Sequence, residues 1–354
     1  MTPRQERALE ITRHAEADVL LAAHPSTVAW LTGFFGDIET GPSPFALPAL
    51  ALLAPGEAPV LVVSEDEAGA AAELGCEAAT YPGFTIGPLE PVAGARRALE
   101  LAARGRRVAT EPGALPAALA ASLSLVDVSA QLGRARAVKD PDELETIRAA
   151  LVLCDAGQLA AREAAEPGMS ELELWAVIRA AIDNAAGGRT PLLADLVSGP
   201  RTEEVGGPPT SRALAAGDAV LCDLVPRLAG YWGDSCATLV VGGEADGPLR
   251  EAHRRAREAL ARAVELVSPG VRAGDLDAEI RPGLEYPHHT GHGLGTAYHE
   301  EPRIVPGGET VLEPGMVVAL EPGVYEDGVG ARVEQVVLVT RDGCEILSGH
   351  ALEL

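Results

Sequence analysis

One stretch of this chain is written twice. Leu214-Ala-Ala-Gly217-Asp-Ala-Val-Leu-Cys-Asp223 returns 98 residues later as Leu312-Glu-Pro-Gly315-Met-Val-Val-Ala-Leu-Glu321, and each copy carries an apolar strand into a carboxylate. A second trace, Pro167-Gly-Met-Ser170 against Pro269-Gly-Val-Arg272, lies 102 residues apart and follows a long Ala-, Glu- and Arg-rich stretch both times. Repeated supersecondary units bury their apolar faces on one another. Two halves of helix, turn, helix and hairpin, folded back about a pseudo-two-fold axis, are the architecture this implies. The first long helix is predicted to start at Asp140, because Asp140-Pro-Asp-Glu143 offers an N-cap, a proline at the first helical position and a glutamate that can reach back.

Ahead of that helix the pattern differs. Val19 to Ala23, Ala49 to Leu53 and Val60 to Val63 read as strands, and Gly69 to Leu74 and Val92 to Ala103 as helices. Such alternation predicts an α/β layer. With 354 residues the chain is long enough for two cores, and the expected division is an N-terminal α/β domain over 1–135 and a second domain over 136–354. A net charge of −24 sets a field that repels polyanions, which argues against nucleic acid or an anionic membrane as partner. Apolar runs are broken well short of the roughly 20 residues a bilayer requires. The N-terminal segment MTPRQERALEITRH lacks the apolar core of a secretory signal, and the five cysteines form no CxxC pair. A cytoplasmic protein with reduced thiols is the expectation.

Chemistry concentrates in the repeated half. Asp223 and Asp234 are spaced for a hairpin closing between Leu228 and Ala229, which would set them directly opposite, with Cβ atoms about 5 Å apart. Glu321 and Glu334 have their midpoint between Asp327 and Gly328, a strong hairpin-turn dipeptide. Four carboxylates brought together repel unless protons or cations neutralise them, and two divalent ions would do so. The run Tyr286-Pro-His288-His-Thr-Gly-His292-Gly-Leu-Gly-Thr-Ala-Tyr-His299 holds four of the eight histidines and can add an imidazole. Carboxylates with one imidazole suit a hydrolytic two-metal site. Gly291-His-Gly-Leu-Gly295 lacks the spacing of a dinucleotide fingerprint, and there is no HExxH or nucleophile-elbow motif.

These residues resemble the pita-bread metallopeptidase family, in its Xaa-Pro dipeptidase (prolidase) and aminopeptidase P branch, over nearly the whole chain. Val19-Leu-Leu-Ala-Ala with Trp30-Leu-Thr-Gly-Phe34 resembles the creatinase-like N-terminal domain, and Arg136-Ala-Val-Lys139 the start of the catalytic domain. Asp223-x10-Asp234, the Gly-His-Gly around His292, Glu321-Pro-Gly and Gly330-x-Arg332-x-Glu334 match the catalytic motifs. The resemblance implies two divalent ions (Mn, Co or Zn) held by Asp223, Asp234, His292, Glu321 and Glu334. It further implies substrate contacts through His288 and His299, proton shuttling by Glu321, and a homodimer. Arg332 could receive a substrate carboxylate or brace the metal carboxylates. The implied reaction is hydrolysis of Xaa-Pro bonds in dipeptides or short peptides by a hydroxide shared between the ions. Two departures stand out. A family histidine is replaced by Gly206, and the Asp-x-Thr-Arg pattern reads Asp234-Ser-Cys236-Ala237. They favour, as the alternative, a relative of weak or altered catalysis that binds metal and a peptide-like ligand or cleaves a non-peptide C–N bond.

Overall fold

The computed structural model describes residues 1–36, 45–84, 86–103, 105–121 and 123–354, and the chain divides into two compact units, Met1–Arg136 and Ala137–Leu354. In the first, strands β1 (Val19–Ala22), β2 (Leu50–Leu53), β3 (Val60–Ser64), β4 (Glu77–Tyr81), β5 (Arg107–Thr110) and β6 (Ser124–Asp127) form one mixed sheet in the order β4-β3-β2-β1-β5-β6. Successive side chains of a strand point to opposite faces. Leu20 and Ala22 therefore join one apolar cluster with Trp30 and Leu132, while Val19 and Leu21 join another with Tyr81 and Leu99. Helices α1 (Pro3–His14), α2 (Pro25–Thr32), α3 (Ala68–Glu73), α4 (Pro91–Ala102), α5 (Ala117–Ala120) and α6 (Ser129–Ala137) complete the α/β order that the apolar pattern predicts.

The second unit opens with α7 (Pro141–Ala164), whose N-cap Asp140 and Glu143 form the expected capping box, the Asp140 amide donating to Glu143 Oε2 at 2.9 Å. There follow α8 (Glu171–Ala186) and the strands β7 (Leu192–Ser198), β8 (Ala219–Leu228), β9 (Tyr231–Trp232) and β10 (Ser235–Val240). The second half repeats the order with α9 (Gly247–Leu266) and α10 (Ala273–Ile280), then β11 (Gly291–Gly293), β12 (Glu300–Ile304), β13 (Val317–Leu320), β14 (Gly323–Glu326), β15 (Val329–Arg332), β16 (Gln335–Val339) and β17 (Cys344–Ile346). The repeat holds bond by bond. Gly168 N donates to Leu214 O at 2.8 Å and Gly270 N to Leu312 O at 2.9 Å; Gly217 N donates to Val241 O at 2.8 Å and Gly315 N to Val339 O at 2.9 Å. Among the described residues no helix is long and apolar enough to cross a membrane.

The two hairpins differ in how they meet expectation. Val324 pairs with Ala331 and Glu326 with Val329, so β14 and β15 turn at Asp327-Gly328 as the dipeptide predicts, and Leu320 with Gln335 continues the same register across Glu321 and Glu334. In the first hairpin Leu228 pairs with Tyr231 and Asp223 with Cys236. The turn is Ala229-Gly230, both at positive φ (46° and 87°), one residue later than the midpoint of the two aspartates. Asp223 and Asp234 are accordingly offset by one pleat instead of directly opposite.

Candidate metal centre

Three of the five candidate ligands sit in gaps between strands. Asp223 lies within β8, Asp234 in the gap between β9 and β10, His292 at the centre of β11, Glu321 just after β13 and Glu334 just before β16. Backbone bonds fix these gaps. Glu321 N donates to Thr290 O and Glu334 N to Cys236 O, each at 2.9 Å, so the second bond joins the two halves beside the site. The glycines flanking His292 are required by close approach: a Cβ on Gly291 would lie 2.2 Å from Ala319 O, and one on Gly293 would lie 2.0 Å from Glu301 O.

Oxygens of Asp223, Asp234 and Glu334 lie within 4.8 Å of one another. Glu334 is 1 % exposed and among the described residues its Oε1 has no hydrogen-bond partner. His292 Nδ1 donates to Gly293 O at 3.0 Å, which leaves the Nε2 lone pair facing inward, 3.5 Å from Asp234 Oδ2 and 3.5 Å from Glu321 Oε1. Lone pairs aimed at lone pairs, with an orphaned buried oxygen among them, is an arrangement that divalent cations complete. A carbonyl that fixes the tautomer of the imidazole is the usual outer support of such a ligand. The donor set therefore fits the ions that the sequence implies.

Electrostatics point the same way. Burial, reinforced by neighbouring carboxylates, raises Asp234 and Glu334 well above the ordinary range. Burial pushes Asp223 up to about 6, with Glu321 and Asp195 adding to the shift and Arg332 opposing it. Burial also raises Glu321, but hydrogen bonding from His289 and the charge of Arg332 outweigh it and hold this carboxyl below its usual value. Burial keeps three of the imidazoles neutral, pushing His292 down to about 3 and His288 and His299 to about 4.

The ligand candidates Asp223, Asp234, His292 and Glu321 line a cavity of about 380 Å³ together with His288, His289, His299 and Arg332, with Glu334 buried behind it. His289 is the residue that sequence reasoning missed. Arg303 donates to its Nδ1 at 3.3 Å, so the Nε2 hydrogen goes to Glu321 Oε1 at 2.7 Å. His299 is exposed, its ring 4.0 Å from that of His292. His288 is more constrained: Nδ1 donates to His289 O at 2.8 Å, and Tyr325 donates to Nε2 at 2.9 Å. Arg332 is enclosed by its hydrogen-bond partners. It is 4 % exposed and donates to Asp223 Oδ2 at 2.6 Å, Tyr325 Oη at 2.9 Å, Val205 O at 3.0 Å and Cys236 Sγ at 3.3 Å. Burial keeps the Cys236 thiol protonated, and its place is to accept from Arg332.

A unit with an internal two-fold repeat, whose carboxylates and imidazoles converge in one cleft, defines the pita-bread class of metallopeptidase fold. The chain belongs to Metallopeptidase family M24, whose model matches residues 145–341, preceded by the Creatinase/Prolidase N-terminal domain over 4–138. It is 35% identical over 248 residues to the probable dipeptidase PepE of Mycobacterium tuberculosis, a match covering 67% of this chain and 65% of that protein. The Xaa-Pro dipeptidase of Pyrococcus furiosus is 33% identical over 227 residues, 62% of this chain and 65% of the relative. These matches span just under two thirds of the relatives' own length. Among solved structures the prolidase from Pyrococcus horikoshii superposes with a TM-score of 0.83 at 26% identity, over 100% of each chain.

Proposed function

We propose that this chain is a metal-dependent peptidase that hydrolyses Xaa-Pro bonds of dipeptides or short peptides. The observation that carries the reading is the unpartnered, buried Glu334 oxygen among the oxygens of Asp223 and Asp234, with the His292 lone pair turned toward Asp234 and Glu321. Asp223, Asp234, His292, Glu321 and Glu334 would hold two divalent ions, with Mn, Co and Zn all compatible with oxygen and imidazole donors. Bound there, the ions would acidify water toward neutral pH and polarise the scissile carbonyl. Glu321, kept ionised by His289, accepts the proton of the attacking water and passes it to the leaving nitrogen. His299 donates to the developing oxyanion or to that nitrogen from the exposed side of the cleft.

A proline imide has no N–H to engage, so a site that acts on the carbonyl and the nitrogen lone pair suits it. The names of relatives, Xaa-Pro dipeptidase among them, support this substrate class. Arg332 is committed to its brace. The test is a panel of Xaa-Pro dipeptides and longer peptides presented to chelator-treated protein reloaded with Mn, Co or Zn. Turnover restored by metal is expected; no turnover with any metal overturns the proposal.

A further inference from the structure

The β7–β8 ladder pairs Asp195 with Asp223 and Leu193 with Val225. Residues two apart on a strand share a face, so these four side chains form one strip, two acids beside two aliphatics, and all four line the cavity. The space that Asp195 occupies is left by its neighbour: a Cβ on Gly206 would lie 2.1 Å from Asp195 Oδ2. Where the family resemblance leads one to expect a histidine, the cleft therefore holds a carboxylate supplied by the adjacent strand.

That carboxylate is uncommitted. Its side chain is 43% exposed, and Arg332 Nη2, which lies 2.6 Å from Asp223 Oδ2, stays 4.0 Å from Asp195 Oδ2. Among the described residues it accepts no hydrogen bond. Asp195 is thus a solvent-facing anion one strand over from a candidate metal ligand, with an aliphatic pair alongside.

We propose that Asp195 binds the α-ammonium group of the substrate's first residue, and that Leu193 and Val225 receive its side chain. The inference rests on the peptidase reading and adds a specificity residue to it. Within one amino acid the nitrogen and the carbonyl carbon are about 2.5 Å apart. A carboxylate for the ammonium and the hydrolytic centre must therefore be neighbours, and directly opposed cross-strand residues have Cβ atoms about 5 Å apart. An α-amino group titrates at about 8, so it is mostly cationic at neutral pH. Substrates are then chosen for a free N-terminus, and cleavage falls after the first residue.

The test uses Mn-loaded protein, Asp195→Asn and Asp195→Glu, with Leu-Pro against N-acetyl-Leu-Pro as substrates and L-leucine against N-acetyl-L-leucine in calorimetry. Asp195→Asn is expected to raise KM for Leu-Pro about 10- to 100-fold, the scale of a lost charge-assisted contact, with kcat little changed. L-leucine affinity falls in step, Asp195→Glu recovers part of the loss, and the acetylated compounds and the bound-metal count do not move. Equal effects on free and acetylated ligands, or a loss of metal, overturn the assignment. Should the wild type cleave nothing, the peptidase reading fails by itself. Leucine binding then decides: a preference for the free amine that Asp195→Asn abolishes upholds Asp195 as the ammonium receptor, and no preference refutes it.

Discussion

Glu334 shows how one side chain can work against the fold that holds it. Buried, with an unpartnered oxygen and acidic neighbours, it is tolerable only protonated or bound to a cation. Glu334→Gln should therefore raise the melting temperature of chelated protein, by about 2 °C or more if a kcal/mol of repulsion is relieved, while lowering cation affinity at least tenfold. Calorimetry and titration together check the opposed signs. Gly206→His carries a second prediction, since its Cβ overlaps Asp195 Oδ2. The single variant should raise KM for dipeptides as Asp195→Asn does, and adding Asp195→Ala should remove the overlap without restoring KM, which shows as a higher melting temperature of the double variant at an equally raised KM. Asp223, Asp234, His292, Glu321 and Glu334 stand out in the sequence as candidate ligands because motif and repeat agree on them. His289 does not, because two adjacent histidines in a run without strand character give no sign of which reaches Glu321. That choice is made by Glu321 N docking on Thr290 O. Asp195 was invisible because Leu-Ala-Asp-Leu-Val reads as an unremarkable strand until β8 is laid beside it.

At the scale of elements the turn chemistry decided what could be read. Asp327-Gly328 announces its hairpin, and the register follows through Glu321 and Glu334. Ala229 has no such signature, and only the pairing of Leu228 with Tyr231 reveals that it takes positive φ with Gly230. The direct opposition of Asp223 and Asp234 requires a turn at their midpoint, and a shift of the turn by one residue moves the opposing partner by two. β11 makes the complementary case. Its glycines let the backbones on either side approach, which seats His292 between β12 and β13. Gly293→Ala must push against Glu301 O and so displace the strand without touching a ligand. A loss of about 1–3 kcal/mol is expected from such overpacking, together with weaker cation binding. Urea denaturation with and without metal checks this: an unchanged affinity would mean that β11 does not set the His292 position.

Over the whole molecule, the two halves are stitched together beside a buried set of acids on a chain of net charge −24, so stability, pH and cations are linked. Asp223 stands at about 6, against about 3.9 for a free aspartate. A carboxyl raised in the fold is no burden while protonated, below about pH 4, and becomes one as pH climbs through about 6. Without cations this contribution to stability is lost as pH rises; with them, the ionised form is the one bound. His288, His292 and His299, at about 4, 3 and 4, remain neutral above pH 5 and do not compete. Manganese should therefore raise the melting temperature more at pH 8 than at pH 5, and an equal or reversed increment would contradict the linkage.

The most direct measurement is a calorimetric titration of chelated protein with Mn2+ at pH 8, repeated on Asp234→Asn. Binding of two equivalents by the wild type, with at least one lost in the variant, is the predicted result. Binding of no ion by the wild type, or the same two by the variant, would contradict a dinuclear centre built from these residues.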